Sequence, residues 1–224
     1  MSLWTRIAEA IASLAKGEGL SVLFDRLRTP PERTVAFAIA VIALGAKLAK
    51  ADGQVTRNEV AAFREVFHIP PGEEANAARV YDLARQDVAG FEDYAARIRR
   101  LYGDDTAPLS DLLEGLFHIA LADGDYHAGE NAFLTRVAVL WGLPDREFQR
   151  MRARFVPEAE QDPFEVLGLA CDATPDQIRA AWRAAVQGSH PDQLAARGVP
   201  PEAVKLAEAR LVAINRAWNK IGSR

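Results

Sequence analysis

Three consecutive residues near the C-terminus, His190, Pro191 and Asp192, form the sharpest candidate site in this sequence. They separate two segments, residues 175–188 and 201–221, whose apolar residues recur at the spacing of an amphipathic helix. This order predicts two antiparallel helices joined by an exposed turn, with the proline as a rigid corner and the aspartate as a cap. Taken alone, the tripeptide is only a turn, and its chemistry depends on the helices around it.

An internal repeat supplies a second set of candidate residues. Residues 50–59 and 121–130 both contain the pattern A-D-G-x-[VY]-x-x-x-E, and each copy lies between two apolar helical segments. If the turns bring their carboxylates together, the oxygen atoms could bind Ca²⁺ or Mg²⁺, and imidazole would shift the preference towards Mn²⁺ or Zn²⁺. The candidate metal ligands are Asp52, Glu59, Asp123 and Glu130, with Asp125 and His127 as further ones.

The same acidic residues also fit a purely structural role. An Asp-Gly pair commonly ends a helix, because glycine readily adopts the left-handed conformation of a helix end. An acidic residue in the first turn of the next helix interacts favourably with the helix dipole. Both interpretations, a divalent-cation site and a pair of helix ends, therefore stay open for the sequence.

The composition is that of a globular protein with a substantial core. The chain has 224 residues, of which 49% are hydrophobic and 26% charged, and its formal net charge is -4. A mildly acidic protein lacks the strong positive charge that binds the phosphates of nucleic acids, so we expect no nucleic-acid partner. The single cysteine, Cys171, excludes an intramolecular disulfide framework and a Cys-rich zinc site, and it is typical of a reducing compartment.

Helical periodicity runs through the whole chain and predicts an all-α fold without strands. Paired prolines and a polar stretch bracketed by prolines mark the domain boundaries. We predict an amphipathic N-terminal segment (1–29), a helical bundle domain (30–155), a short linker (156–161) and a small helical-hairpin domain (162–224). The bundle should contain helices at residues 33–50, 73–86, 91–102, 109–121, 133–141 and 146–155, and a further helix that begins after Thr56 and ends before Pro70.

The N-terminal segment is amphipathic. Leu3, Ile7 and Ile11 share one helical face, but charged residues interrupt the run, so it lacks the uncharged core of a secretory signal. The most apolar stretch of the chain, residues 35–46, is too short to span a bilayer. We expect a cytoplasmic protein whose N-terminal helix packs on its own domain. The alternatives are docking on a partner and peripheral contact with the cytoplasmic face of the inner membrane.

The internal repeat resembles the TerB (tellurite-resistance B) family, an all-helical domain built from two acidic helix–loop–helix units. The resemblance covers roughly residues 34–155 and rests on the paired D-G-x-[VY]-x-x-x-E motifs. It implies that a divalent metal binds through the acidic residues that match the motifs. In this sequence those residues are Asp52, Glu59, Asp123 and Glu130.

The C-terminal segment resembles a J domain, the module of DnaJ-type co-chaperones. The matching elements occur in order across residues 162–222: a D-P-F-E-V-L-G start, an I-R-A-A-W-R helix, the H-P-D turn and an I-N-R-A-W helix. The resemblance implies that this segment binds a DnaK-class chaperone. The residues that it assigns to this contact are His190, Pro191, Asp192, Arg179 and Arg183.

The order of the two domains resembles that of the DjlA family of membrane-anchored co-chaperones. Residues 190–200, H-P-D-Q-L-A-A-R-G-V-P, are similar to the family's sequence at the same turn. The sequence departs from the family in its N-terminal segment, which is an interrupted amphipathic stretch instead of a transmembrane helix, so we do not carry over the membrane anchor. The segment that resembles the second J-domain helix has few basic residues, and Gln193 stands where a lysine is common in the family. Both departures predict a weaker electrostatic attraction between this protein and the chaperone than in a typical J domain.

These motifs favour a co-chaperone that stimulates ATP hydrolysis by a DnaK-class chaperone, with a TerB-like domain for regulation, client binding or metal binding. The alternative is a metal-binding stress-response sensor of the tellurite-resistance kind. An enzyme is not expected, because the sequence has neither a glycine-rich phosphate loop nor a nucleophile elbow. This interpretation requires no cofactor and leaves room for a divalent cation in the TerB-like domain.

Overall fold

The computed structural model describes residues 2–14, 18–27, 32–51, 66–86, 90–122, 125–156 and 162–222. These residues form helices and short connections, and none of them lies in a β-strand, so the predicted all-α fold is confirmed. Short 3-10 turns, Leu20–Val22 and Pro201–Ala203, precede two of the helices. In chain order the described α-helices are α1 (Leu3–Ala12), α2 (Leu23–Arg26), α3 (Glu32–Ala51), α4 (Glu74–Gln86), α5 (Phe91–Tyr102), α6 (Ala107–Ala120), α7 (Ala128–Trp141), α8 (Asp145–Phe155), α9 (Pro163–Leu167), α10 (Pro175–Gly188), α11 (Pro191–Ala196) and α12 (Val204–Ile221).

Helix ends follow local capping chemistry. α5 and α10 have the predicted bounds, and Gly142 ends α7 in a left-handed conformation with φ of 70°. α7 begins at Ala128, earlier than the apolar spacing predicts, because the Glu130 carboxylate accepts a hydrogen bond from the His127 N–H at 2.9 Å. The predicted helix between Thr56 and Pro70 falls mostly on residues 56–65, and the predicted linker falls mostly on residues 157–161. Both ranges lie outside the described residues, so this helix and the domain boundaries stay predictions.

α3 is the central helix of the bundle. Its residues from Val35 to Leu44 are at most 2% exposed, and the helix packs against α1, α4, α5, α6 and α7. A helix that is apolar on every side is typical of such a buried position. α6 approaches α3 closely through Gly115, where an added Cβ would lie 3.4 Å from a methyl group of Val41. This contact fixes α6, which carries the acidic residues of the site described below.

The N-terminal helix α1 packs on the bundle. Trp4 lies edge-on against Phe67, with ring centres 6.2 Å apart, and its indole N–H donates to the His68 carbonyl at 3.4 Å. The prediction that this segment packs on its own domain is therefore confirmed. Among the helices of the described ranges, none combines the length and the apolar character needed to cross a membrane. The buried residues of α1 are Leu3, Trp4, Ile7 and Ile11.

Replacing Ile7 with valine should lower the free energy of unfolding by about 0.5–1.5 kcal/mol, because the lost methylene leaves a space in a packed core. Ile7 is 0% exposed, so water does not fill that space. Equilibrium unfolding in urea measures the change. Val139→Ala is the control, since Val139 is 61% exposed and its truncation should change the stability by at most about 0.5 kcal/mol. An Ile7→Val protein as stable as the wild type would contradict the docking of α1.

The buried apolar residues of the described ranges form two clusters. The smaller cluster consists mainly of residues of the C-terminal helices, among them Phe164 of α9, Ile178 of α10 and Ile214 of α12, and it also includes Ala153 of α8. The larger cluster is the core of the bundle, but it also contains Leu194 of α11 and Leu206 of α12. The segment that follows the H-P-D turn is therefore part of the bundle core.

Candidate functional site

Local capping fixes the ends of α10, the helix before the H-P-D turn. At its start, the Thr174 hydroxyl accepts a hydrogen bond from the Gln177 N–H at 3.3 Å, and the Gln177 side chain accepts one from the Thr174 N–H at 2.8 Å. At its end, the buried Ser189 donates its hydroxyl to a carbonyl one helical turn back, at 2.8 Å. α10 therefore stops at Gly188, immediately before the turn.

α10 and α12 pack against each other through apolar and aromatic side chains. Trp182 and Trp218 stack with ring centres 4.7 Å apart, and the Trp182 indole N–H donates to the Asn215 side-chain oxygen at 3.1 Å. Ile178 and Ile214 are almost completely buried between these helices and α9. The two helices on which the turn depends are thus held side by side.

The H-P-D turn opens a short helix, α11, that the apolar spacing of the sequence did not predict. His190 is the residue before this helix, and its Nδ1 accepts a hydrogen bond from the Asp192 N–H at 3.2 Å, which requires an unprotonated nitrogen. Pro191 occupies the first helical position, where its missing N–H leaves no partner unsatisfied. The expected cap, Asp192, lies in the first turn instead, and His190 takes the capping role.

The side chains of the turn face solvent. His190 is 60% exposed and Asp192 is 89% exposed, so another protein can reach both without any local unfolding. Arg179 and Arg183 are also exposed on α10, and Arg179 forms an ion pair with Asp176 at 3.3 Å. The structure therefore presents a rigid, exposed turn beside a helix that carries two positive charges.

A buried cluster of four charged side chains lies between the bundle and the C-terminal helices. Asp111 and Glu114 belong to α6 and are 2% and 1% exposed. Arg210 of α12 donates to both, with Nη2 2.6 Å from an Asp111 oxygen and Nε 2.8 Å from a Glu114 oxygen. Arg197, which follows α11, places its Nε 2.9 Å from the other Asp111 oxygen. We call these four residues the ion cluster.

The charges of the ion cluster depend on one another. Burial raises the pKa of Asp111, and the neighbouring charges of Arg210 and Arg197 offset only part of that rise. Burial alone would lower the pKa of Arg210, but the charges of Glu114 and Asp111 outweigh it and raise the pKa above its ordinary value. Arg210 therefore stays charged, and it stabilises two carboxylates that water cannot reach.

The ion cluster was not predicted from the sequence, although two signals for it are present. Asp111 and Glu114 are acidic residues three positions apart in the otherwise apolar run 109–121, which places them on one face of a buried helix. Arg210 lies four residues before Ile214, on the apolar face of α12. A charged residue on the apolar face of a helix indicates that it has a buried partner of opposite charge, although the pattern does not say which one.

The described residues place only part of the candidate metal site. Glu130 is 6% exposed and accepts the hydrogen bond from the His127 N–H, while Asp125 is exposed. Within the described part of the chain, no group of three or more His, Cys, Asp and Glu side chains could hold a metal ion. The capping role of Glu130 is therefore observed, and the cation site stays a prediction. The other predicted ligands lie outside the described residues: Asp52, Glu59 and Asp123.

Thermal melts with MgCl₂ or CaCl₂, at constant ionic strength, separate the two roles of the acidic repeat. If the acidic residues only cap helices, the melting temperature should stay unchanged on adding either cation, and Glu130→Ala should cost about 0.5–2 kcal/mol through the lost cap. Glu208→Ala, at an exposed position on α12, is the matched control. A cation that binds the folded protein, at a concentration a hundredfold above its Kd, would raise the free energy of unfolding by about 2.7 kcal/mol. A cation-dependent rise that Asp123→Asn removes would therefore contradict a purely capping role.

The fold and the site together define an all-α protein in which a helical bundle is joined to C-terminal helices around an exposed H-P-D turn. The chain belongs to the TerB family. The model of that family, tellurite resistance protein TerB, matches residues 38–153, slightly more than half of the chain. This match runs from α3 into α8 and ends before the C-terminal helices, so the J domain stays a prediction.

Curated relatives of the chain are proteins named co-chaperone protein DjlA. The chain is 29% identical over 194 residues to the one from Coxiella burnetii, an alignment that covers 78% of this chain and 72% of the relative. The identity is 26% over 239 residues with the one from Photobacterium profundum, covering 95% and 86%. With the one from Aliivibrio fischeri it is 26% over 223 residues, covering 85% and 79%. The predicted resemblance to DjlA-like co-chaperones with a TerB domain is confirmed. No solved structure matches the chain.

Proposed function

We propose that this protein is a J-domain co-chaperone that stimulates ATP hydrolysis by a DnaK-class chaperone. The observation that carries the proposal is the H-P-D turn, whose backbone is ordered by helices on both sides while His190 and Asp192 remain exposed. The names of the curated relatives support the same class of protein. The protein would regulate an ATPase and would not itself be an enzyme.

Each residue of the turn has a distinct role in this proposal. His190 orders the backbone through its hydrogen bond with the Asp192 N–H, and Pro191 fixes the shape of the corner. The Asp192 carboxylate, which is 89% exposed, accepts a hydrogen bond from a cationic side chain of the chaperone. Arg179 and Arg183 draw the acidic face of the chaperone towards α10 by electrostatic attraction.

The TerB domain supplies regulation, client binding or metal binding in this proposal. The ion cluster and the shared apolar core join it to the C-terminal helices, so a client bound to the bundle would lie at a defined distance from the chaperone. The buried apolar face of α1 supports, at most, peripheral contact of the N-terminal segment with a membrane. The expected cytoplasmic location remains part of the proposal.

The direct test is the rate of ATP hydrolysis by a DnaK-class chaperone with and without the full chain. We expect the rate to rise with added protein until it saturates, since the turn binds the chaperone at a single site. The chain alone should hydrolyse no ATP, which tests that it is not the enzyme. A rate that stays at its basal value at every concentration would refute the proposed function.

A further inference from the structure

A single side chain closes the base of the H-P-D turn. Arg197 follows α11, and its Nη2 donates a hydrogen bond to the Gly188 carbonyl, at the end of α10, at 2.8 Å. The same guanidinium places Nε 2.9 Å from an oxygen of Asp111 on α6. Because the turn lies between Gly188 and Arg197, one guanidinium connects both of its ends to the bundle.

The two ends of the turn pack in different apolar clusters. After the turn, Leu194 and Val199 are 6% and 3% exposed and belong to the core of the bundle. Gly198 lies against α3, where an added Cβ would be 3.3 Å from the Cβ of Arg33, and its φ of 88° also favours glycine. The α10 end packs in the other apolar cluster, and the Arg197 side chain links this end directly to the anchored segment.

We propose that Arg197, held in place by Asp111 of the TerB domain, is a positioning residue that fixes the H-P-D turn for its chaperone partner. This inference rests on the proposed function and adds to it a role for the TerB domain. Arg197 itself is only 24% exposed, which separates it from the exposed residues that contact the partner. It acts through the backbone at both ends of the turn.

A turn that is fixed before binding loses less conformational entropy when the chaperone binds. Without Arg197 the turn has to be ordered during binding, so the affinity falls while the bound state stays the same. The concentration of co-chaperone that gives half-maximal stimulation should therefore rise, by about threefold to tenfold. The maximal stimulated rate should not change, because His190 and Asp192 are intact.

Two variants test the link from opposite sides. Arg197→Gln removes the guanidinium, and Asp111→Asn removes the carboxylate that holds it. The asparagine amide has a single oxygen, and when that oxygen accepts from Arg210, only the NH₂ group faces Arg197. Two donors cannot form a hydrogen bond with each other, so the contact is lost. Both should raise the half-saturating concentration, and the double variant should be no worse than the poorer single variant. Arg216→Gln, at an exposed position on α12, is the matched control and should behave as the wild type.

Hydrogen exchange of the free protein tests the positioning without any chaperone. The amides of Gln193 and Leu194 donate to the His190 carbonyl, and both should exchange faster in Arg197→Gln and in Asp111→Asn than in the wild type. Unchanged exchange in the two variants would overturn the inference, as would wild-type half-saturation in Asp111→Asn. Absence of stimulation by the wild-type protein would refute the proposed function instead, and the exchange result would still decide the positioning.

Discussion

Replacing His190 with glutamine should reduce the stimulated rate of ATP hydrolysis to the basal rate of the chaperone. The glutamine amide does not place an acceptor where the imidazole Nδ1 meets the Asp192 N–H at 3.2 Å, so the turn loses the bond that orders it. The imidazole also disappears from the exposed surface that is proposed to contact the chaperone. The fold should survive, because His190 is 60% exposed and the loss of an exposed helix cap costs about 1 kcal/mol.

His68→Gln is the matched control for this variant. The His68 side chain is exposed and lies outside the turn, so the same chemical change should leave both stability and stimulation at wild-type values. Circular dichroism and a thermal melt confirm that each variant is folded before the ATPase rate is measured. A folded His190→Gln protein that stimulates as well as the wild type would contradict the assignment of the turn as the chaperone-binding site.

Replacing Arg210 with methionine should lower the free energy of unfolding by about 3–5 kcal/mol, the usual cost of breaking a buried ion pair. Arg210 is 8% exposed and balances both Asp111 and Glu114. Methionine fills a similar volume but removes the guanidinium that donates hydrogen bonds to the buried Glu114 carboxylate, which then has only the nearby charge of Arg154. Equilibrium unfolding in urea measures the loss as a lower midpoint with an unchanged slope.

Two further variants test this explanation. Arg216→Met makes the same change at an exposed position of α12, and it should alter the stability by at most about 0.5 kcal/mol. The double variant Arg210→Met with Glu114→Leu also removes the buried Glu114 carboxylate, while Asp111 keeps its ion pair with Arg197. It should therefore recover most of the lost stability. A double variant no more stable than Arg210→Met alone would show that the loss has another origin.

The helices and the exposed turn could be predicted from the sequence because their determinants are local. The spacing of apolar residues along α5 and α10, and caps such as Thr174 before α10, act within a few residues of chain. The same holds for the end of α7 at Gly142. α11 was missed because six residues are too few to show helical periodicity, and its start depends on the capping contact of His190.

Function at the level of a family was also readable from the sequence. The paired acidic motifs indicate the TerB family, and the ordered elements that resemble a J domain predict a co-chaperone, because each motif is a contiguous pattern of residues. The acidic motifs could not decide between metal ligation and helix capping. That choice depends on where the carboxylates point, and the structure shows this for Glu130, which caps α7.

Only the tertiary structure decided which surfaces meet. The apolar face of α1 could pack on a membrane, on a partner or on the core of its own domain, and the spacing of its residues does not distinguish these three. In the structure this face is buried in the bundle. The ion cluster joins Glu114 to Arg210 across 96 residues of chain, so no local pattern can pair them. Charged residues on the apolar faces of helices require partners of opposite charge. The packing of α12 against α6 determines which partners they have. The contact between Arg197 and Asp111 then joins the H-P-D turn to the TerB domain.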